Sequence, residues 1–411
     1  KRPEEALASY DRALKYQPED VEALSNRGNA LLELKRPEEA LASYDRALAL
    51  KSDFAAAING RGNALVELKR PEEAVTSYDR ALELHPDYVE ALNNRGNVLL
   101  YLNRPGEALA SFYLALKLQP DYVDAINGCG KALQELKRLE EALASYDRAL
   151  KLQPDSLEAL NNRGNVLQEL KRLEEALASY DRALAIKPDY ADALHNRGIA
   201  LKKLGRLEES LASYDRVLVI KPDYAEAIYN RGITLWKLGR LEEALASYDR
   251  ALAIEPNNAN ALYRRGGALW QFKRHGEGIA DFKKLLTIRP FHDYASGRLL
   301  NMQLNCCEWA DYNKSAAQIA EGVRAGRRAD FPVTFLAFSD SAADQLRCSR
   351  LFVSENYPAA PQPVWRGERY NHDRIRLAYL SADFRVHPSS SLLAGMFEHH
   401  DRSRFETIAI S

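Results

Sequence analysis

Residues 157–190 read LEALNNRGNVLQELKRLEEALASYDRALAIKPDY, and most of the chain repeats this stretch with few changes. Its tyrosine, Tyr180, returns every 34 residues as Tyr10, Tyr44, Tyr78, Tyr146, Tyr214 and Tyr248, with Phe112 and Phe282 in the two remaining places. One register held by nine aromatics means a single helical unit copied along the chain. Within the unit, Leu160, Val166, Leu167 and Leu170 around Gly164 are spaced for the buried stripe of a first helix, A. Leu177, Tyr180, Ala183 and Leu184 form the stripe of a second, B, that begins at Leu173. Acidic Glu174 and Glu175 at its start and Arg182 near its end complement the helix dipole.

The copies agree on their small and breaking residues. Gly28, Gly62, Gly96, Gly130, Gly164, Gly198, Gly232 and Gly266 mark where helix A must come close to its partner. The facing helix-B position is small throughout, with Ser210 its one polar member. Pro3, Pro37, Pro71 and Pro105 occupy the first turn of helix B, where the missing N–H is not needed. Prolines such as Pro188 close the units. This set of small, aromatic and proline positions resembles the tetratricopeptide repeat over residues 1–292, with a half repeat at the start and full repeats from 21, 55, 89, 123, 157, 191, 225 and 259. A unit of two helices cannot bury its own apolar face, so the expected fold is mainly α, an α-solenoid of stacked units.

The resemblance implies that helix A lines a concave surface. One position there reads Asn26, Gly60, Asn94, Gly128, Asn162, Asn196, Asn230 and Arg264; another, three residues on, reads Asn29, Asn63, Asn97, Lys131, Asn165, Ile199, Ile233 and Gly267. Asparagine is a mediocre helix former. A side-chain amide both donates and accepts, so a row of them can hold an extended peptide backbone of any sequence. Asn94, Asn97, Asn162, Asn165, Asn196 and Asn230 are therefore the candidate peptide-binding residues. Copying of one unimportant Asn through near-identical repeats is the competing explanation, and Gly60, Gly128 and Arg264 interrupt the row.

Composition sets outer limits. The 411 residues exceed one compact core, and 28% charged with 46% hydrophobic residues is ordinary for a folded soluble protein. The net charge of −1 gives no basic field, so nucleic acid is not an expected partner. No apolar stretch approaches membrane-spanning length, and membrane is not an expected partner either. Cys129, Cys306, Cys307 and Cys348 form no CxxC pair; they read as small buried hydrophobes in a reduced, cytoplasmic setting. No cluster has metal-ligand spacing and no Gly-rich phosphate loop is present. Asn313-Lys314-Ser315 matches the glycosylation sequon by chance in that setting. The chain starts at Lys1 inside a repeat, which suggests a fragment.

After Pro290 the register fails. Residues 293–373 read as a helical transition, through Leu299–Leu304, Ala316–Val323 and Ala342–Phe352, followed by a connector rich in proline. From 374 the pattern is strand (Ile375, Leu377, Tyr379), loop, helix (Leu392 to His400), strand (Phe405 to Ile410). Such a βαβ unit would begin a Rossmann-like lobe, truncated at 411. His387 stands where the first strand hands over to the helix, a common ligand-binding place in open α/β sheets. A helix N-terminus keeps imidazole neutral and able to accept a proton. A histidine that only caps the helix fits the position as well.

Three segments, CCEWADY at 306–312, DFPVTFLAFSDSAADQLRCSRLF at 330–352 and RIRLAYLSADFRVHPSSSLL at 374–393, resemble the start of the catalytic region of O-linked N-acetylglucosamine transferases and SPINDLY-like proteins, glycosyltransferase family 41. The resemblance implies a GT-B type lobe and a parent protein O-glycosyltransferase. That enzyme would move N-acetylglucosamine from UDP-N-acetylglucosamine to Ser or Thr, with acceptor proteins held as extended peptides by the repeats. It places His387, of the His387-Pro388 pair, in the active site as a candidate base. Arg385-Val386 and Ser391 depart from the animal pattern, and a fucose donor stays open. No donor-binding second lobe lies within 1–411, so no cofactor and no transfer are expected of these residues alone. The alternative is a tetratricopeptide scaffold without catalysis. The position before the Asn ladder (Ser25, Asn59, Asn93, Asn127, Asn161, His195, Tyr229, Tyr263) has no lysine, which speaks against a clamp for C-terminal carboxylates.

Overall fold

The structure, a computed structural model, describes residues 2–357 and the strands Ile375–Leu380 and Phe405–Ile410. Contacts divide it into two compact units, Lys1–Tyr312 and Asn313–Ser411.

The first unit alternates B and A helices. In order they are α1 (Pro3–Tyr16), α2 (Val21–Glu33), α3 (Pro37–Leu50), α4 (Ala55–Glu67), α5 (Pro71–Leu84), α6 (Val89–Tyr101), α7 (Pro105–Leu118), α8 (Val123–Glu135), α9 (Leu139–Leu152), α10 (Leu157–Glu169), α11 (Leu173–Ile186), α12 (Ala191–Lys203), α13 (Leu207–Ile220), α14 (Ala225–Lys237), α15 (Leu241–Ile254), α16 (Ala259–Gln271) and α17 (His275–Ile288). Then α18 (Ala295–Asn305) packs on α17 outside the repeat register. The even-numbered helices from α2 to α16 are the A helices. Each A helix packs on the B helix that follows it, and every helix also touches its sequence neighbour in the adjoining repeat. From α2 to α14, successive A helices touch one another directly, while contacts between successive B helices are sparse. The A row is thus the tighter side of the stack.

The tyrosine ladder is the core of this stack. Tyr44, Tyr146, Tyr180, Tyr214, Phe112 and Phe282 are fully buried and Tyr78 and Tyr248 nearly so; burying a side chain such as Phe112 contributes roughly 3 kcal/mol. Close approach explains the glycines. A Cβ at Gly28 would lie 2.6 Å from the Tyr44 ring, and one at Gly60 in the next A helix 2.5 Å from the same ring. Gly128 meets Phe112 at 2.5 Å in the same way. The two glycines that interrupt the Asn row are therefore places where a ring fills the space next to the backbone.

Each A helix passes to its B helix through one left-handed residue. These are Lys35, Lys69, Asn103, Lys137, Lys171, Gly205, Gly239 and Lys273, with φ between 56° and 77°. Glycine takes this conformation without strain. Pro3, Pro37, Pro71 and Pro105 sit at the first turn of α1, α3, α5 and α7, as expected, and Glu174 and Glu175 lie in the first turn of α11.

A polar seam, not anticipated from the sequence, ties the repeats together. Arg163 on α10 donates through Nε to Asp147 of the preceding B helix at 2.6 Å and through Nη1 to Ser179 of its own at 2.6 Å. Arg27, Arg61, Arg95, Arg197 and Arg231 repeat the pair of bonds. In the last repeat Asp281 replaces the serine, and Arg265 bridges it to Asp249. Arg182, assigned to the helix dipole from sequence, also reaches back to the Pro154 carbonyl at 3.2 Å. The signal was available, since Asp, Arg and Ser recur 16 residues apart in the same copies. The seam breaks once, where Tyr113 and Cys129 stand in the Asp and Arg places.

The second unit holds α19 (Tyr312–Arg324), the short α20 (Pro332–Phe335) and α21 (Ala342–Asn356). Together with α18 they cover the stretches expected to be helical after Pro290. Ser341 caps α21 by accepting from the Asp344 N–H at 3.3 Å, and Arg324 grips Asp344 at 2.7 Å. Two strands, β1 (Ile375–Leu380) and β2 (Phe405–Ile410), pair in parallel with Ile375 opposite Phe405. A parallel pair needs a crossover connection. The expected helix between them, Leu392 to His400, lies outside the described residues, and so does His387.

One expectation fails outright: Cys307 is exposed, at φ 58°, whereas Cys129 and Cys348 are buried and Cys306 is half-buried; all four are free thiols.

Candidate functional site

The tight side of the first unit brings the helix-A asparagines together, though not as identical rungs. Asn94 uses its Nδ2 internally, donating to Asn59 Oδ1 at 3.3 Å and Asn63 Oδ1 at 3.2 Å. Asn196 donates to Asn161 Oδ1 at 3.0 Å across the next-but-two repeat boundary. In both cases the carbonyl oxygen of the amide is left as an acceptor. Asn162 is half-buried and Asn97 is exposed, and neither side chain has a hydrogen bond among the described residues. They keep donor and acceptor alike. Asn93 and Asn127, one place earlier on their helices, each hold a buried Oδ1 without a partner.

Two candidates are placed differently. Asn165 accepts from the Tyr180 hydroxyl at 2.8 Å, as Asn29 does from Tyr44 and Asn63 from Tyr78. Its oxygen is thereby committed to the core. Asn230 is buried, and its Oδ1 accepts from Lys202 Nζ at 2.7 Å. It is a second-layer support for that lysine and not an open rung. Asn97 escapes the tie to the core because its register partner is Phe112, which has no hydroxyl.

The A face changes character after α10, a shift that the position-by-position reading of asparagines overlooked. The last residue of each A helix runs Glu33, Glu67, Tyr101, Glu135, Glu169, then Lys203, Lys237, Gln271. Over the same boundary the position before the Asn ladder changes from Asn161 to His195, Tyr229 and Tyr263, and the position of Asn165 changes to Ile199, Ile233 and Gly267. Burial pushes the Lys202 ammonium down to about 8, and the charges of Lys237, Arg264 and Lys203 push the same way against Glu226. His195 is buried with Nε2 3.4 Å from Glu226 Oε1; burial lowers its pKa, with Glu226 opposing. Between α14, α16 and α18 a cavity of about 280 Å³ is lined by Trp236, Tyr263, Arg264, Gly267, Trp270 and Arg298. The Arg298 guanidinium lies over the Tyr263 ring at 5.3 Å.

Among the described residues no group of three His, Cys, Asp or Glu could hold a metal, and no helix is long and apolar enough to cross a membrane.

The family model described as the tetratricopeptide repeat matches residues 1–53, 59–123, 195–259 and 229–293, and a second model, the TPR repeat, matches 130–171 and 164–205. The chain belongs to the tetratricopeptide repeat family. Among solved structures, the array is similar to YrrB, "a TPR protein with an unusual peptide-binding site", at 27% identity over 46% of this chain and 98% of that one, TM-score 0.39. It is also similar to the "APC/C hetero-tetramer Cut9-Hcn1", at 17% identity over 71% of this chain and 58% of that one, TM-score 0.52, which is a likeness of fold. No curated protein matches the chain.

Proposed function

We propose that the tetratricopeptide array is a protein-binding module that holds an extended polypeptide along its A helices. The observation that carries this reading is that Asn97 on α6 and Asn162 on α10, two A helices that each pack on α8, present amides with no internal partner, flanked by the unused oxygens of Asn94 and Asn196. An extended backbone offers alternating N–H and C=O groups, and a side-chain amide can serve either. Leaving such groups to water costs nothing in the free protein, so they are available without distorting the core. The test is fluorescence anisotropy with a labelled peptide repeating Gln-Ser-Phe-Asn. The Asn97→Ala/Asn162→Ala variant is expected to bind at least tenfold more weakly with an unchanged urea midpoint. Equal affinity would remove the amides from the reading.

A finer reading follows from the resemblance of the second unit to glycosyltransferase family 41, and the parallel pairing of β1 with β2 favours it, since that pairing requires a crossover like that of a βαβ unit. In this reading the array presents Ser and Thr of an acceptor protein to a transferase that uses UDP-N-acetylglucosamine, with His387 near the reacting groups. Residues 1–411 would bind peptide without transferring sugar. Transfer of labelled N-acetylglucosamine by the full-length natural product would support it. Normal kcat/KM in its His387→Ala variant would take that residue out of the mechanism.

A further inference from the structure

We propose that the last three A helices, α12, α14 and α16, form a separate subsite for an acidic segment of the bound polypeptide, with an aromatic side chain of that segment entering the cavity between Trp236 and Trp270. The proposal rests on the peptide-binding reading above and specifies its ligand.

Charge is the first support. Lys202, Lys203, Lys237 and Arg264 come together on one face, and Glu226 is the carboxylate felt by Lys202 against them. Lys237 and Arg264 are exposed and make no ion pair among the described residues, whereas the Arg27-type guanidiniums of the seam are all tied to aspartates. Repeats before this point end their A helices in Glu33, Glu67, Glu135 or Glu169, with Tyr101 the exception, so Lys203 and Lys237 are a local departure from the copied pattern. Like charges held close together raise the energy of the empty site and are relieved by an anion.

Shape is the second. Gly267 stands where the two preceding repeats carry Ile199 and Ile233, and a Cβ there would meet Arg298 Nη1 at 3.6 Å, ordinary contact. The backbone therefore does not demand glycine. Its effect is to leave the 280 Å³ cavity open between two indoles and the Tyr263 ring. Flat aromatic walls beside a guanidinium suit an aromatic side chain flanked by carboxylates. The half-buried Lys202 amine, fixed by Asn230 at 2.7 Å, gains most from an incoming carboxylate because its water is already stripped away.

The experiment compares the Gln-Ser-Phe-Asn repeat peptide with its acidic counterpart, Glu-Ser-Phe-Asp, by anisotropy on the intact chain. The acidic peptide is expected to bind at least tenfold more tightly at low salt, with the advantage shrinking as salt rises. Lys237→Glu/Arg264→Glu should abolish the preference for the acidic peptide over the neutral one. Gly267→Ile, which restores the residue of the two preceding repeats, should weaken the acidic peptide without lowering the urea midpoint. Equal affinity for the two peptides, or a preference that survives both variants, would overturn the subsite and leave the amide face standing. If neither peptide binds, both readings fall.

Discussion

The Tyr180 hydroxyl, at the centre of the solenoid core, donates a 2.8 Å hydrogen bond to Asn165 Oδ1 on the A face. The most regular core residue of the repeat is thus wired to one of its candidate binding residues. Asn97, the equivalent of Asn165 two repeats earlier, faces Phe112 and has no such bond.

That contrast separates stability from binding. Asn165→Ala leaves a buried phenol unpaired and should cost about 1–2 kcal/mol. Asn97→Ala should leave the urea midpoint unchanged and weaken peptide binding. Paired urea titrations of the two variants check the first half, and a loss of stability in Asn97→Ala equal to that in Asn165→Ala would contradict it.

The left-handed turn between helices A and B gives a second test. A Cβ at Gly205 would meet nothing within 4 Å, so the residue is constrained by its φ of 77° alone. Gly205→Ala should destabilise by about 1 kcal/mol. Lys69→Gly, at the equivalent place in another repeat with φ 57°, should not destabilise, because relief of strain offsets the added freedom of the unfolded chain.

The thiols should react in a fixed order. Burial pushes Cys129 up to about 12 and Cys348 up to about 11, so both are protonated and shielded at pH 8. Cys307 is exposed. Mass spectrometry after brief alkylation should find Cys307 modified first, with Cys129 and Cys348 modified only in urea.

Lys202 should leave a signature in the pH dependence of stability. Its folded-state pKa is lowered to about 8 from an ordinary 10.5, so between these values the unfolded chain holds more protons. Stability contributed at this site therefore rises as pH increases from about 8 to 10.5. The difference in urea midpoint between wild type and Lys202→Met should shift in favour of wild type over that window. A gap that stays constant with pH would mean the ammonium is not destabilised by its neighbours.

The repeat was legible because one period carried several independent constraints. Ring, glycine and proline each pointed to the same helix pair, and the helix bounds follow. The function of individual asparagines was less legible. Sequence register places Asn94, Asn97, Asn165 and Asn230 on one helix face, but whether an amide is open depends on the neighbour it meets. A hydroxyl on Tyr180 occupies Asn165, its absence on Phe112 frees Asn97, and Lys202 claims Asn230. Gly60 and Gly128 looked like gaps in a ladder and are instead contacts with the rings of Tyr44 and Phe112. The Arg163 seam and the basic, aromatic end of the A face were written in the sequence as well, but they emerge only when the copies are compared for charge and not for helix-forming pattern.

The central claim is that polypeptide runs along the A face. A photo-crosslinking residue placed at Asn97 on α6, or at exposed Glu174 on α11, tests it directly with the labelled Gln-Ser-Phe-Asn peptide. The account predicts strong crosslinking from position 97 and none above background from position 174. Equal crosslinking from both, or crosslinking from 174 alone, would contradict it.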